Sequence, residues 1–149
     1  MESKLVLKGT WEIRLIDKKT GKIKSVDKGS NLIVNTGLER VARRLFGNTY
    51  DPFVAIAIGE GATAPAVGNI SLENEVKRVG ITPIYEASYK GIWEYTFTFL
   101  SGESYAITEA GLFDSAVESG STMLDRFTFS VKNVDSDTDL YVKVKITIA

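Results

Sequence analysis

The sequence predicts a mainly all-β fold, an antiparallel β-sandwich or jelly roll with one short α-helix near residues 37–46. Trp93, Tyr95, Phe97 and Phe99 alternate with Glu94, Thr96 and Thr98, and Leu140, Val142, Val144, Ile146 and Ile148 alternate with Tyr141, Lys143, Lys145 and Thr147. A period of two with one wet face is the pattern of strands buried on one side, and short turn-rich connections point to sheets packed face to face. One stretch, Leu38, Val41, Ala42 and Leu45, has helical spacing instead.

In chain order, Trp11, Ile13 and Leu15 alternate with Glu12 and Arg14, and Gly21 supplies the positive φ that turns the chain into Lys22–Val26. A strand at Leu32–Asn35 follows. Thr36 and Glu39 have capping-box spacing for a helix that Gly47 stops. A helix this short is not stable alone, so it is expected to lay Leu38, Val41 and Leu45 over the core. Phe53–Ile58 is apolar on both faces and reads as a strand buried on both sides. Gly59–Asn74, rich in Gly, Ala, Pro, Ser and Thr, reads as a long surface loop. Val76–Ile81 forms a short strand, and Pro83 and Gly91 bracket an irregular stretch carrying Tyr85 and Tyr89. Ile107–Asp114 and Gly120–Phe127 read as two adjacent strands, the first kinked at Gly111. Phe127, Phe129 and Val131 alternate with Arg126, Thr128 and Ser130, placing the arginine on the wet face.

A length of 149 residues with 44% hydrophobic and 25% charged residues fits a single domain, residues 1–149, with one core. The chain has neither cysteine nor histidine. That excludes disulfides, thiolate nucleophiles, imidazole bases and Cys/His zinc sites, leaving carboxylate or lysine chemistry or an all-oxygen metal site. No cofactor is expected. With 18 Lys and Arg against 19 Asp and Glu, the net charge of −1 gives no field for nucleic acid. No apolar run reaches the roughly 18 residues that span a bilayer, and Met1–Gly9 lacks a signal-peptide core, so a soluble protein made in a cytoplasm is expected.

The motifs resolve mostly into structural roles. Asp135-Ser136-Asp137-Thr138-Asp139 begins like a calcium loop, but Leu140 stands at its sixth position and Ile146 at its twelfth, so a solvated hairpin turn is expected and no metal. Arg40, Arg43 and Arg44 read as a solvated helix face, with Glu39 placed to pair with Arg43. Gly59-Glu60-Gly61 lacks the Lys of a phosphate loop, and Asn69-Ile70-Ser71 matches a glycosylation sequon by chance. Tyr85 and Tyr89 are candidate interface residues because an amphipathic ring in a surface segment serves a partner. Glu109 is the notable carboxylate, flanked by Ile107, Ala110, Leu112 and Phe113. Catalysis would need a second acid across a cleft, which the sequence does not name. It is expected to accept backbone N–H bonds near Gly111 or to pair with Arg78 or Arg126.

Asn31–Gly37, Ala57–Pro65, Leu72–Arg78, Ile107–Asp114 and Gly120–Phe129, in this order before a final alternating strand, resemble a family of small virion proteins of tailed bacteriophages. The Ile-Thr-Glu-Ala-Gly-Leu-Phe-Asp element is also similar to a motif in the attachment regions of tail-collar fibres. Where many such proteins read Gly-Thr-Gly, this chain has Gly59-Glu60-Gly61. The resemblance implies a non-enzymatic assembly subunit of the virion: a tail-associated adaptor, a fibre protein or a head decoration protein. It implies no catalytic residues, no small-molecule substrate, and tail, baseplate or major capsid proteins as partners.

Two segments are expected to make those contacts: Gly59–Asn74, with Glu60, Thr63 and Pro65, and Tyr85–Gly91. A homo-oligomer is expected, closed as a ring or trimer, with a trimer as the expectation. The competing functions are a carbohydrate-binding module for host attachment and a carboxylate glycosidase.

Overall fold

The computed structural model describes residues 6–148. It is a β-sandwich of two five-stranded antiparallel sheets. The elements are β1 (Leu7–Asp17), β2 (Ile23–Ser30), β3 (Leu32–Ile33), α1 (Asn35–Leu45), β4 (Ala55–Gly59), β5 (Glu75–Gly80), β6 (Ile84–Glu86), β7 (Lys90–Thr98), β8 (Tyr105–Phe113), β9 (Met123–Val134) and β10 (Thr138–Ile148). Sheet one runs β2-β1-β10-β7-β6 and sheet two β3-β9-β8-β4-β5.

The main core lies between the sheets. Trp11, Ile13, Trp93, Phe97, Val142 and Val144 from sheet one meet Ile56, Ile58, Ala110, Leu112 and Phe127 from sheet two. Trp11 stacks on Phe127 with ring centroids 6.2 Å apart. A second, smaller cluster lies on the outer face of sheet two, where Ala55, Ala57, Phe113 and Met123 are covered by Val34 and Leu72. This second layer is why β4 is apolar on both faces.

The helix departs from its sequence reading. It starts at Asn35, so Thr36 falls inside the first turn and no capping box forms. The Thr36 hydroxyl donates to Met123 O and Glu39 pairs with Arg43, while the Asn35 N–H donates to Val67 O at 2.8 Å. Of the predicted docking face only Val41 packs against the core. A Cβ on Gly37 would sit 2.6 Å from Leu124 Cα, so helix and strand meet backbone to backbone at this glycine. Docking there turns Gly37, Arg40 and Val41 inward and leaves Leu38, Leu45 and Phe46 exposed. Arg40 is accordingly no solvated residue: it donates to Asp114 at 3.1 Å and to Thr122 at 2.6 Å. Gly47, at φ 98°, ends the helix as expected.

Three further expectations change. The stretch around Tyr85 and Tyr89 is a hairpin, β6–β7, rather than irregular. The Asp135–Asp137 turn crosses from sheet two to sheet one instead of closing a hairpin within one sheet. The distortion near Glu109 lies not at Gly111 but between Ile107 and Glu109, where three residues of β9, Phe129 to Val131, oppose Thr108 alone. This bulge leaves Ile107 facing the main core and turns Glu109 to the outer face. Beyond it β9 also changes sides, so Lys132 is buried and Val131 exposed, the reverse of simple alternation.

Candidate functional site

Two places gather the residues singled out by the sequence. The first is built around Glu109, which is fully buried on the outer face of sheet two. One carboxylate oxygen accepts from Glu73 N at 2.9 Å and Arg126 Nε at 3.0 Å; the other accepts from Gly61 N and Asn74 N, each at 2.8 Å. Arg126 extends the network, donating through Nη1 to Thr63 O at 2.9 Å and to Asn69 Oδ1 at 3.3 Å. The Thr108 hydroxyl, at the bulge, donates to Gly61 O at 2.8 Å. One carboxylate and one guanidinium thus fasten both ends of the 60–74 loop to β8 and β9.

The glycines on either side of Glu60 make room for this. A Cβ on Gly59 would lie 2.6 Å from a Glu109 carboxylate oxygen, and one on Gly61 2.5 Å from the same oxygen. The Gly-Glu-Gly string and the Ile-Thr-Glu-Ala-Gly string are therefore two halves of one structural unit. Glu60 itself is a tie, accepting from Ala106 N at 2.9 Å. Thr63 is exposed but its backbone is held by Arg126, and Pro65 is half-buried in the same loop. Glu73 accepts from Ala62 and Thr63 N–H, and the Thr63 bonds hold its carboxyl below the usual range.

Arg78 belongs to a separate cluster. It forms a two-pronged pair with Glu75 at 2.7 and 2.9 Å, donates to Ser115 O and Ser121 Oγ, and lies 3.9 Å over the Phe113 ring. Gly111 is a packing glycine, with Phe113, Leu72 and Asp125 O all within about 3 Å of where a Cβ would stand. Among the described residues, no three acidic side chains converge as metal ligands, and no helix is long and apolar enough to cross a membrane.

The second place is at an open end of sheet one. Tyr85 and Tyr89, each 71% exposed, stand at the rim of a pocket of about 260 Å³. Trp93, Ile146, Ile148 and Lys90 complete the lining, with Gly91 at its floor. Gly91 is required because a side chain there would press into the Trp93 ring at 3.1 Å. The Trp93 indole N–H is already spent on Phe53 O at 2.7 Å. Ser88 at φ 69° and Tyr89 at φ 64° turn the hairpin in the left-handed region that non-glycine residues seldom adopt. Such conformations cost on the order of 1–3 kcal/mol each and cluster where a surface is used.

Sequence reasoning did not find Asp125. It is completely buried, and among the described residues its one side-chain partner is the Trp11 indole N–H at 3.1 Å. Burial pushes its carboxyl up to about 8. It lies on the core face with Phe127, two residues on, and opposite Leu112, so the alternation itself carries the signal, an acid at a core position, while the bulge between Leu112 and Phe113 brings Leu124 to the same face.

Comparison with protein-family models, curated proteins and solved structures found no match.

Proposed function

We propose that this chain is a non-enzymatic structural subunit of a tailed-bacteriophage virion, made in the host cytoplasm and assembling with itself and with tail, baseplate or capsid proteins. The reading starts from the resemblance of its ordered segments to small virion proteins. The observation that carries it further is the chemistry of the Tyr85–Tyr89 pocket.

That pocket has apolar walls and an occupied indole N–H. A sugar ring needs convergent polar groups beside its aromatic platform, and here only the tyrosine hydroxyls and the Lys90 ammonium are at hand. An apolar protein side chain fits better than a glycan. Glu109 supports the same reading from the other side: both its oxygens are saturated by backbone N–H groups and Arg126, which leaves no lone pair for proton transfer.

The test is light scattering of the purified protein together with its binding to particles that lack it. Oligomers that decorate such particles are expected. A strict monomer that fails to bind them refutes the reading, and saturable hits on a glycan array replace it with the host-attachment alternative.

A further inference from the structure

The net charge of −1 hides a separation of charge along the chain. The β1–β2 hairpin, residues 7–30, carries seven Lys and Arg against three acids, whereas residues 51–121 carry three against ten. At the free end of the hairpin Lys18, Lys19, Lys22 and Lys24 are all exposed, and none pairs with an acidic side chain among the described residues. Asp17 is spent on the turn itself, accepting from Lys19 N at 2.9 Å and Thr20 N at 3.0 Å. Asp135 and Asp137 of the adjacent turn offset two of these charges and leave the hairpin edge positive. Ile23 and Val26 stand exposed among the lysines.

The opposite sign gathers on the outer side of sheet two. Glu73 and Glu118 are exposed and have no cationic partner among the described residues. Ile70 lies between them, lining one cavity with Glu73 and the next with Glu118, and Val67 and Val117 are exposed in the same two loops. Arg126 and Arg78 also line these cavities, but each is spent on an acid of its own, Glu109 and Glu75.

We propose that the β1–β2 hairpin of one copy docks on the face formed by Glu73, Ile70 and Glu118 of the next, so that copies associate head to tail. The inference rests on the assembly reading above and names a contact that such an assembly uses.

Charge complementarity selects both the occupant and the geometry. Each copy carries both surfaces, on different sheets and with no residue in common, so it can offer one and receive at the other simultaneously. Each surface has exposed aliphatic residues with charges around them, the anatomy of a protein interface. A two-fold contact of hairpin on hairpin would set lysine against lysine. A heterologous contact sets lysine against glutamate, and its repetition closes a ring where the rotation allows. Lysines on β2 oppose pairing of that edge with another strand, so side chains rather than a shared sheet make the contact.

Charge reversal on the full-length chain tests this. One variant carries Lys18→Glu, Lys22→Glu and Lys24→Glu, and the other carries Glu118→Lys and Ser119→Lys; all five side chains are exposed. With circular dichroism unchanged, each variant alone is expected to associate at least about tenfold more weakly than wild type by light scattering. Their equimolar mixture is expected to recover the wild-type mass, because the acidic hairpin then meets the basic loop. Wild-type association is expected to weaken by a similar factor between about 50 and 500 mM salt. Variants that keep the wild-type mass, or a mixture as dissociated as its components, overturn the proposal. So does a monomeric wild type: if it still binds particles that lack it the assembly reading stands, and if it does not, both fall. Retention of wild type but not of the hairpin variant on DNA cellulose at physiological salt assigns the hairpin to a polyanion and overturns the proposal as well. Should a reversed variant not fold, the salt dependence decides alone, and an unchanged wild-type mass across that range refutes the contact.

Discussion

Replacing Glu109 by glutamine tests whether the buried carboxylate is the fastening of the 60–74 loop. The amide offers one oxygen where the carboxylate offers two. Whichever way it turns, its NH2 faces either Gly61 N and Asn74 N or Glu73 N and Arg126 Nε. Two donors are left facing a donor, each worth about 1–3 kcal/mol when buried. Arg126, only 2% exposed, also loses its counter-charge, and removing one side of a buried pair typically costs about 3–5 kcal/mol. These costs overlap, so a loss of about 5 kcal/mol is expected, comparable to the whole stability of a marginal domain.

Urea unfolding followed by the fluorescence of Trp11 and Trp93 measures it. With a slope of about 2 kcal/mol/M, the midpoint drops by roughly 2–3 M. Glu109→Gln combined with Arg126→Met removes both charges and is expected to be less damaging than Glu109→Gln alone. A single variant within about 0.3 M of wild type, or a double variant worse than the sum of its parts, refutes the argument that this pair organises the loop.

Asp125 makes stability depend on pH. Its folded carboxyl titrates at about 8 and the unfolded one near 3.8, so between these values the folded chain holds the extra proton and stability falls as pH rises, by up to about 1.4 kcal/mol per pH unit. Asp125→Asn keeps a neutral acceptor for Trp11 and is expected to gain about 3–4 kcal/mol more over wild type at pH 8 than at pH 5 in urea titrations; parallel pH profiles would contradict this. Gly61→Ala forces a methyl against Glu73 and Glu109 and is expected to cost about 2–3 kcal/mol by the same assay, whereas Gly68→Ala, which meets open space, stays within about 1 kcal/mol of wild type. Tyr89→Gly relieves a left-handed φ of 64° at a ring 71% exposed and is expected to raise the melting temperature or leave it unchanged; a drop of more than a few degrees would mean that the ring contributes packing of its own.

What the sequence makes legible is whatever depends on neighbours along the chain. The alternation through β10 places Leu140, Val142, Val144 and Ile146 in the core and fails only at the strand end, where Ile148 is exposed; the same pattern in β7 buries Trp93 and Phe97 but leaves Tyr95 between them exposed. Glycines at φ 71° and 98° end the first hairpin and the helix where local chemistry requires them. What depends on the third dimension is not legible. The helix face is set by the close approach of Gly37 to Leu124, a contact 87 positions apart that no periodicity encodes. Alternation puts Arg126 on the outer face, where it lies, but does not show that the 60–74 loop covers it, whereas Lys132 lies on the side opposite to expectation because the bulge at Thr108 changes the face that β9 presents. For Glu109 the apolar neighbours are visible, but its donors come from residues 61, 73 and 74, far back along the chain.

Why a charged pair occupies this position, when an apolar cluster of equal size would often be as stable, follows from what the loop brings with it. Gly61, Glu73 and Asn74 arrive with backbone N–H groups that no strand partner satisfies, and a buried N–H without an acceptor is costly. An aliphatic side chain in place of Glu109 would leave these three donors without an acceptor, and the loop would have to move into water to satisfy them. A carboxylate accepts all three from one atom group, and Arg126 then both neutralises it and reaches the next turn at Thr63. The loop is thereby held in one shape while Val67 and Ile70 remain exposed on its outer side. A surface ordered beforehand does not spend ordering entropy when a partner docks, so under the proposed assembly role the residue most suggestive of catalysis would contribute through rigidity.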